Sequence, residues 1–146
     1  MRALTLITLT LSILFLQAKG KDKDKDKEPR KDTSGTEKVE LSAQGTPPGT
    51  MKFTKSEIKI KAGQPIQLTF KNPDVLQHNL LILKPGTTAK VGTLADAMLA
   101  DPEAMKKSYV PKSPDILHST KLVNPGGQAV LNFTITEVGN YPIICT

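Results

Sequence analysis

Hydrophobic and polar residues alternate along several short segments of the chain. Ile66, Leu68 and Phe70 alternate with glutamine, threonine and lysine, and residues 58–61 repeat the pattern with isoleucine and lysine. A period of two residues is typical of a β-strand that buries one face. Sequences rich in Gly, Pro and Asn separate these segments and are typical of turns. We therefore predict strands over residues 58–61, 66–71, 78–83, 117–123, 128–135 and 141–146.

Residues 91–107 interrupt the strand pattern. Thr93 and Asp96 have the spacing of a capping box, and Asp101 followed by proline is typical of a second helix start. We expect one or two short helices in this segment, the second ending near Lys107. About six short strands with one helical insertion indicate an all-β fold, a Greek-key β-sandwich.

The N-terminal part of the chain differs in composition from the rest. Residues 1–20 combine a positive start, an apolar run and small residues at the cleavage position, as in a secretory signal peptide. Residues 21–50 begin with alternating lysine and acidic residues, which bury little apolar surface, so we expect a charged, disordered linker. The folded domain is predicted over residues 51–146, with a start near residues 39–41 as the alternative.

The predicted signal peptide implies a secreted or periplasmic protein with no stable membrane insertion after cleavage. The whole chain has a formal charge of +6, and twelve lysines against nine acidic residues leave +3 on residues 37–146. Nucleic-acid-binding surfaces combine clustered basic residues with aromatic ones, whereas here the lysines are dispersed and aromatics are 4%. We expect no nucleic-acid partner, and the mild positive charge favours an acidic protein partner.

Cys145 is the one cysteine in the sequence. In an exported protein, a cysteine without an intramolecular partner is an intermolecular bridge, a reactive thiol or a metal thiolate. His78 lies ahead of an apolar run. For either residue alone, a packing or hydrogen-bonding role is the simpler interpretation.

Three motifs carry a resemblance to a known family. Residues 58–72 (IKIKAGQPIQLTFKN), the triplet at 77–79 (QHN) and the closing run 139–146 (GNYPIICT) have the order and separation found in cupredoxins. The chain therefore resembles the blue-copper proteins of the azurin/plastocyanin type, and its helical insertion is more like the azurin branch. The resemblance covers residues 51–146.

The resemblance implies a type 1 copper site in an electron-transfer protein that is not an enzyme and has no catalytic residues. It implies that His78 and Cys145 are metal ligands. It also implies that Asn79 and Thr146 join the ligand loops by hydrogen bonds, and that the backbone carbonyl of Gln77 lies near the metal. The implied partner is a redox protein, such as a cytochrome or a copper oxidoreductase, that docks on an apolar patch near the copper.

The sequence departs from the family pattern after Cys145. Cupredoxins continue with a loop that carries a second histidine and usually an axial methionine, whereas the sequence given ends at Thr146. We expect a truncated C-terminus, with these ligands encoded further along the reading frame. The alternative is a remnant without tight copper binding, a non-redox β-sandwich that acts as a binding or interaction module.

The other histidine, His118, matches no ligand position of the family, and we expect it at the surface or in a loop. A thiolate and one imidazole do not complete the three equatorial ligands of a blue-copper site. The 146-residue chain is therefore expected to bind Cu(II) weakly on its own and to show no intense thiolate-to-copper absorption.

Overall fold

The computed structural model describes residues 35–146, so the predicted signal peptide and the first part of the predicted linker, residues 21–34, lie outside the described residues. The strands are β1 (Glu37–Ser42), β2 (Pro65–Lys71), β3 (Leu81–Leu83), β4 (Ile116–Ser119), β5 (Gln128–Thr134) and β6 (Ile143–Ile144). One α-helix, α1 (Thr88–Ala97), and a short 3-10 helix, Met98–Ala100, lie between β3 and β4. None of the helices among residues 35–146 is long and apolar enough to cross a membrane.

Two three-stranded sheets form the sandwich. In the first sheet β2 is central, with β1 parallel to it on one side and β5 antiparallel on the other. In the second sheet β3 is central, and β4 and β6 both pair with it in antiparallel orientation. The two sheets and the short helix confirm the predicted fold class.

The hydrophobic core lies between the two sheets and follows the alternation seen in the sequence. Ile66, Leu68 and Phe70 of β2 point into it and are each at most 2% exposed. The intervening polar residues of β2 are only partly buried, as expected for a strand with one wet face. The other buried members of this cluster are Leu41, Ala43, Leu80, Ile82 and Val123.

Strand β3 is buried on both faces because α1 covers the outer side of its sheet. Leu80 and Ile82 belong to the core between the sheets, whereas Leu81 and Leu83 pack with Val91 of α1 in a second cluster. All five side chains are at most 2% exposed. This two-sided burial explains why the β3 region is continuously apolar instead of alternating.

The predicted boundary between linker and domain at residues 50 and 51 is wrong. Strand β1 lies inside the predicted linker and pairs with β2 over its full length. The strand is based on a short alternation, since Val39 and Leu41 face the core while the charged Lys38 and Glu40 face outward. The alternative start near residues 39–41 is closer to the structure.

Two other predicted elements differ from the structure. Residues 58–61 form no strand, although Ile58 and Ile60 still pack against the core. Helix α1 begins at Thr88, well before the predicted capping box, and the segment predicted as a second helix is a series of turns. Positive φ angles at Ser108 and Tyr109 are incompatible with a continuing helix there.

An apolar cavity of about 810 Å³ opens between the sheets on the side of β1 and β6. Residues of β1, β2 and β6 line it together with residues 53–60 of the loop before β2. His78 and Cys145 are not among its lining residues. The cavity is therefore separate from the two predicted metal ligands.

Candidate metal centre

His78 lies between the loop of residues 72–77 and strand β3, and its side chain is 2% exposed. Its backbone forms an isolated bridge with Val123. The N–H of His78 donates to the Val123 carbonyl at 3.2 Å, and the N–H of Val123 donates to the His78 carbonyl at 2.7 Å. These two bonds fix the backbone from which the imidazole projects.

Cys145 directly follows β6, which pairs with β3. The pairing brings Sγ of Cys145 to 3.5 Å from Nδ1 of His78. Burial raises the pKa of the Cys145 thiol, while the backbone N–H groups of Asn79 and Thr146 act in the opposite direction. The fold thus brings together the two side chains that the sequence analysis named as metal ligands, although they are 67 residues apart.

Asn79 and Thr146 connect the segments that carry His78 and Cys145. The N–H of Thr146 donates to Oδ1 of Asn79 at 2.8 Å, and Nδ2 of Asn79 donates to Oγ1 of Thr146 at 2.8 Å. Nδ2 of Asn79 also donates to the Ser108 carbonyl at 2.7 Å, and the Thr146 hydroxyl donates to the Tyr109 carbonyl at 2.8 Å. The predicted hydrogen bonds between Asn79 and Thr146 are therefore present.

Asn72 organises the loop that precedes His78. Its Nδ2 donates to the carbonyls of Leu76 at 2.7 Å and Val123 at 2.8 Å. Its Oδ1 accepts the N–H of Asp74 at 3.0 Å. Because a buried amide is stable only when its polar atoms are paired, these bonds hold the loop against the same Val123 that pairs with His78.

Asp74 is a residue of this site that the sequence analysis did not identify. Its side chain is 0% exposed, and Oδ2 lies 2.9 Å from Nε2 of His78. The Gly49 N–H bond to the carboxylate lowers the pKa of Asp74 below its ordinary value, and the hydrogen bond with His78 acts in the same direction. The available signal in the sequence was an Asn-Pro-Asp turn with the acidic residue four positions before the histidine.

The donor atoms of His78 and Cys145 fit a copper ion, because a thiolate and an imidazole are the ligand types of blue-copper sites. A metal ion about 2.0 Å from nitrogen and about 2.3 Å from sulfur would account for the observed separation of Nδ1 and Sγ if the nitrogen–metal–sulfur angle were about 108°. Among residues 35–146, no three or more His, Cys, Asp and Glu side chains are arranged so that all of them could hold one metal ion. The described His and Cys side chains thus supply two of the three equatorial ligands of such a site.

His118 lies in strand β4 and is half-buried, so the expectation of a loop position is wrong. Its ring stacks on Phe133 with centroids 5.0 Å apart, and burial lowers the pKa of its imidazole. Gln77 donates from its side-chain amide to Oδ1 of Asn124 at 2.6 Å. The role of the Gln77 carbonyl beside a metal remains a prediction.

Replacement of Asn79 by alanine is expected to lower the free energy of unfolding by about 1–3 kcal/mol, because the Ser108 carbonyl and the Thr146 N–H lose their buried partner. The segment after β6 should also become more mobile, so that Cys145 reacts faster with a thiol reagent. Urea denaturation and the rate of reaction with a chromogenic disulfide measure the two effects.

Asn132 is a matched control for this prediction, because it is an exposed asparagine in the middle of β5. Its replacement by alanine is expected to change the stability by no more than about 0.5 kcal/mol. Equal stability losses in the two variants, with an unchanged thiol reaction rate, would show that Asn79 does not hold the cysteine segment in place.

Comparison with known proteins places this arrangement in a family. Residues 37–146 match the family model of copper binding proteins, plastocyanin/azurin family. Auracyanin-A of Chloroflexus aurantiacus is 30% identical over 113 residues, which cover 77% of this chain and 67% of that protein.

Comparison with solved structures also finds copper proteins of this kind. The structure of auracyanin A, described as a "blue" copper protein from Chloroflexus aurantiacus, has a TM-score of 0.65 at 30% identity and covers 76% of this chain and 87% of that chain. Reduced auracyanin from Roseiflexus castenholzii has a TM-score of 0.63 at 30% identity, with coverage of 76% and 86%. The chain belongs to the plastocyanin/azurin family of copper-binding proteins.

Proposed function

We propose that this protein is an electron carrier with a single type 1 copper ion, held by Nδ1 of His78 and Sγ of Cys145. The observation that carries the proposal is the 3.5 Å separation of these two atoms at the meeting point of β3 and β6. Membership of a copper-binding family supports the choice of metal. When bound, the copper supplies one-electron chemistry between Cu(I) and Cu(II).

The contribution of the chain is to hold the two donor atoms at a fixed separation. The Val123 bridge fixes His78, and the Asn79–Thr146 hydrogen bonds fix the end of β6. Leu80 and Leu81, which follow Asn79 in the sequence, are fully buried. A rigid, partly apolar surrounding limits both the entry of water and the rearrangement that accompanies a change of oxidation state.

We further propose that the carrier docks on a redox protein, such as a cytochrome or a copper oxidoreductase, through apolar residues beside His78. Val75 and Leu76 are 65% and 49% exposed on the loop that leads into this residue. Exposed apolar groups next to a candidate metal centre are suited to a contact surface. The role is that of a carrier and not of an enzyme.

The proposed location is secreted or periplasmic. The support is the composition of residues 1–20, with a positive start, an apolar run and small residues at the cleavage position. Determination of the N-terminal sequence of the protein purified from its natural source tests this: the mature chain is expected to lack residues 1–20, and an intact Met1 contradicts export by cleavage.

Loading with Cu(I) in the presence of imidazole tests the electron-carrier function. Imidazole is included because it supplies a further equatorial nitrogen. We expect oxidation by ferricyanide and reduction by ascorbate to be reversible, with one electron transferred per copper. The thiolate-to-copper absorption should appear on oxidation and disappear on reduction. A wild-type protein that retains no copper, or that is oxidised irreversibly to a disulfide dimer, favours the non-redox interaction module instead.

A further inference from the structure

The carboxylate of Asp74 is buried and both of its oxygens act as hydrogen-bond acceptors from the backbone. Oδ1 accepts the N–H of Val75 at 2.7 Å and that of Gly49 at 3.0 Å, and Gly49 also lies 3.2 Å from Oδ2. Both oxygens of Asp74 are thus already placed as acceptors, and the carboxyl group presents an acceptor to a further polar neighbour.

Nε2 of His78 is that further atom, 2.9 Å from Oδ2 of Asp74. A neutral imidazole carries its proton on one nitrogen and a lone pair on the other. A proton on Nε2, donated to Asp74, leaves the lone pair on Nδ1. Nδ1 is the nitrogen that lies 3.5 Å from Sγ of Cys145.

We propose that Asp74 is the positioning residue of the metal centre: it holds His78 in the Nε2–H tautomer and aims Nδ1 at the position shared with Cys145. The inference rests on the proposed function, because it assigns to Asp74 an action through a copper ligand. A carboxylate on the second nitrogen of a ligating histidine fixes the ring and raises its basicity as a ligand. Asp74 thus strengthens metal binding and favours Cu(II) over Cu(I).

The position of Asp74 depends on a second loop that is distant in sequence. Gly49 adopts a φ of 75°, which is accessible mainly to glycine, and presents its N–H to the carboxylate. At Gly45, a Cβ would lie 2.9 Å from the Pro73 carbonyl, so only glycine allows the two loops to approach this closely. The loop of residues 45–50 therefore packs against the turn that carries Asp74 and supplies a backbone donor to its carboxylate.

The tautomer of His78 can be measured in the metal-free protein. Long-range 1H–15N NMR of the 146-residue chain with 15N-labelled histidine distinguishes a protonated Nε2 from a protonated Nδ1, and a His118→Phe variant assigns the two signals. We expect the Nε2–H form for His78 in the wild type. We expect that preference to be lost in Asp74→Asn, which keeps an oxygen acceptor for Gly49 and Val75.

The affinity for Co(II), which does not oxidise thiols, gives the second readout. In the presence of imidazole, Asp74→Asn is expected to bind Co(II) about 10- to 100-fold more weakly than the wild type. Its copper-loaded form is expected to have a higher reduction potential. Asp115→Asn is the matched control, because it removes a carboxylate from a surface ion pair with Lys90; its tautomer and affinity should equal those of the wild type.

Each outcome decides between the proposals. An Nδ1–H tautomer of His78 in the wild type overturns the positioning role, and this measurement needs no variant to fold. A folded Asp74→Asn protein with unchanged tautomer or unchanged Co(II) affinity overturns it as well. A wild-type chain that binds no Co(II) with imidazole overturns the proposed function, whereas wild-type binding with an unaffected Asp74→Asn variant overturns only the role of Asp74.

Discussion

Replacement of Phe70 by alanine is expected to lower the free energy of unfolding by about 3–5 kcal/mol. Phe70 is 0% exposed in the central strand of the first sheet, and its ring meets Phe53 edge to face with centroids 5.9 Å apart. Its removal leaves a cavity in the core and also breaks the aromatic pair. Since whole domains are stable by about 5–15 kcal/mol, this loss should be visible as a large shift of the urea midpoint.

Val130 provides the matched control for the core prediction. It lies on the neighbouring strand β5 and is 47% exposed, so its replacement by alanine is expected to change stability by no more than about 0.5 kcal/mol. A Phe70→Ala protein that is no less stable than Val130→Ala would show that Phe70 of β2 does not stabilise the core as described.

Replacement of Cys145 by serine is expected to abolish the thiolate-to-metal charge-transfer absorption of the Co(II)-loaded, imidazole-supplemented protein completely. The physical reason is that sulfur is the origin of this band and the chain contains one cysteine. Replacement of His78 by glutamine is expected to leave a weakened band at much higher Co(II) concentration, because the thiolate loses its neighbouring nitrogen.

The matched control for these two variants is His118→Phe. It removes the other histidine of the sequence and keeps an aromatic ring against Phe133. We expect its Co(II) titration to overlay that of the wild type. Persistence of the band in Cys145→Ser, or loss of the band in His118→Phe, contradicts the assignment of His78 and Cys145.

Much of the fold could be predicted because the burial of a strand determines its pattern of apolar and polar residues. The alternation in β2 and the apolar run of β3 predicted which residues form the core, and the structure buries them. Strand β1 was missed because its two core residues, Val39 and Leu41, lie between charged residues next to a charged tract. The alternation there is too short to outweigh the local composition.

The start of α1 could not be predicted from its capping signals. Thr87, the residue before the helix, makes no side-chain cap bond to the helix. The capping-box spacing at Thr93 falls inside the helix, where the Thr93 hydroxyl donates to the Ala89 carbonyl. Packing of Val91 against β3, a tertiary effect, determines the position of this helix.

The candidate site was accessible from sequence only in part. His78 and Cys145 could be named together because their flanking residues resemble a known family, since nothing local links positions 67 apart. Asp74 could not be named, because its backbone partner Gly49 lies 25 residues earlier in the chain. Contacts between loops carry no periodicity, so they become visible only in three dimensions.

X-ray absorption spectroscopy at the copper edge of the copper-loaded protein shows directly whether one ion is bound by both Sγ of Cys145 and Nδ1 of His78. The wild type is expected to show sulfur and imidazole nitrogen in the same coordination shell, with the sulfur lost in Cys145→Ser and the nitrogen contribution reduced in His78→Gln. A shell of oxygen and nitrogen without sulfur in the wild type, unchanged by either substitution, would contradict binding of the ion by both side chains.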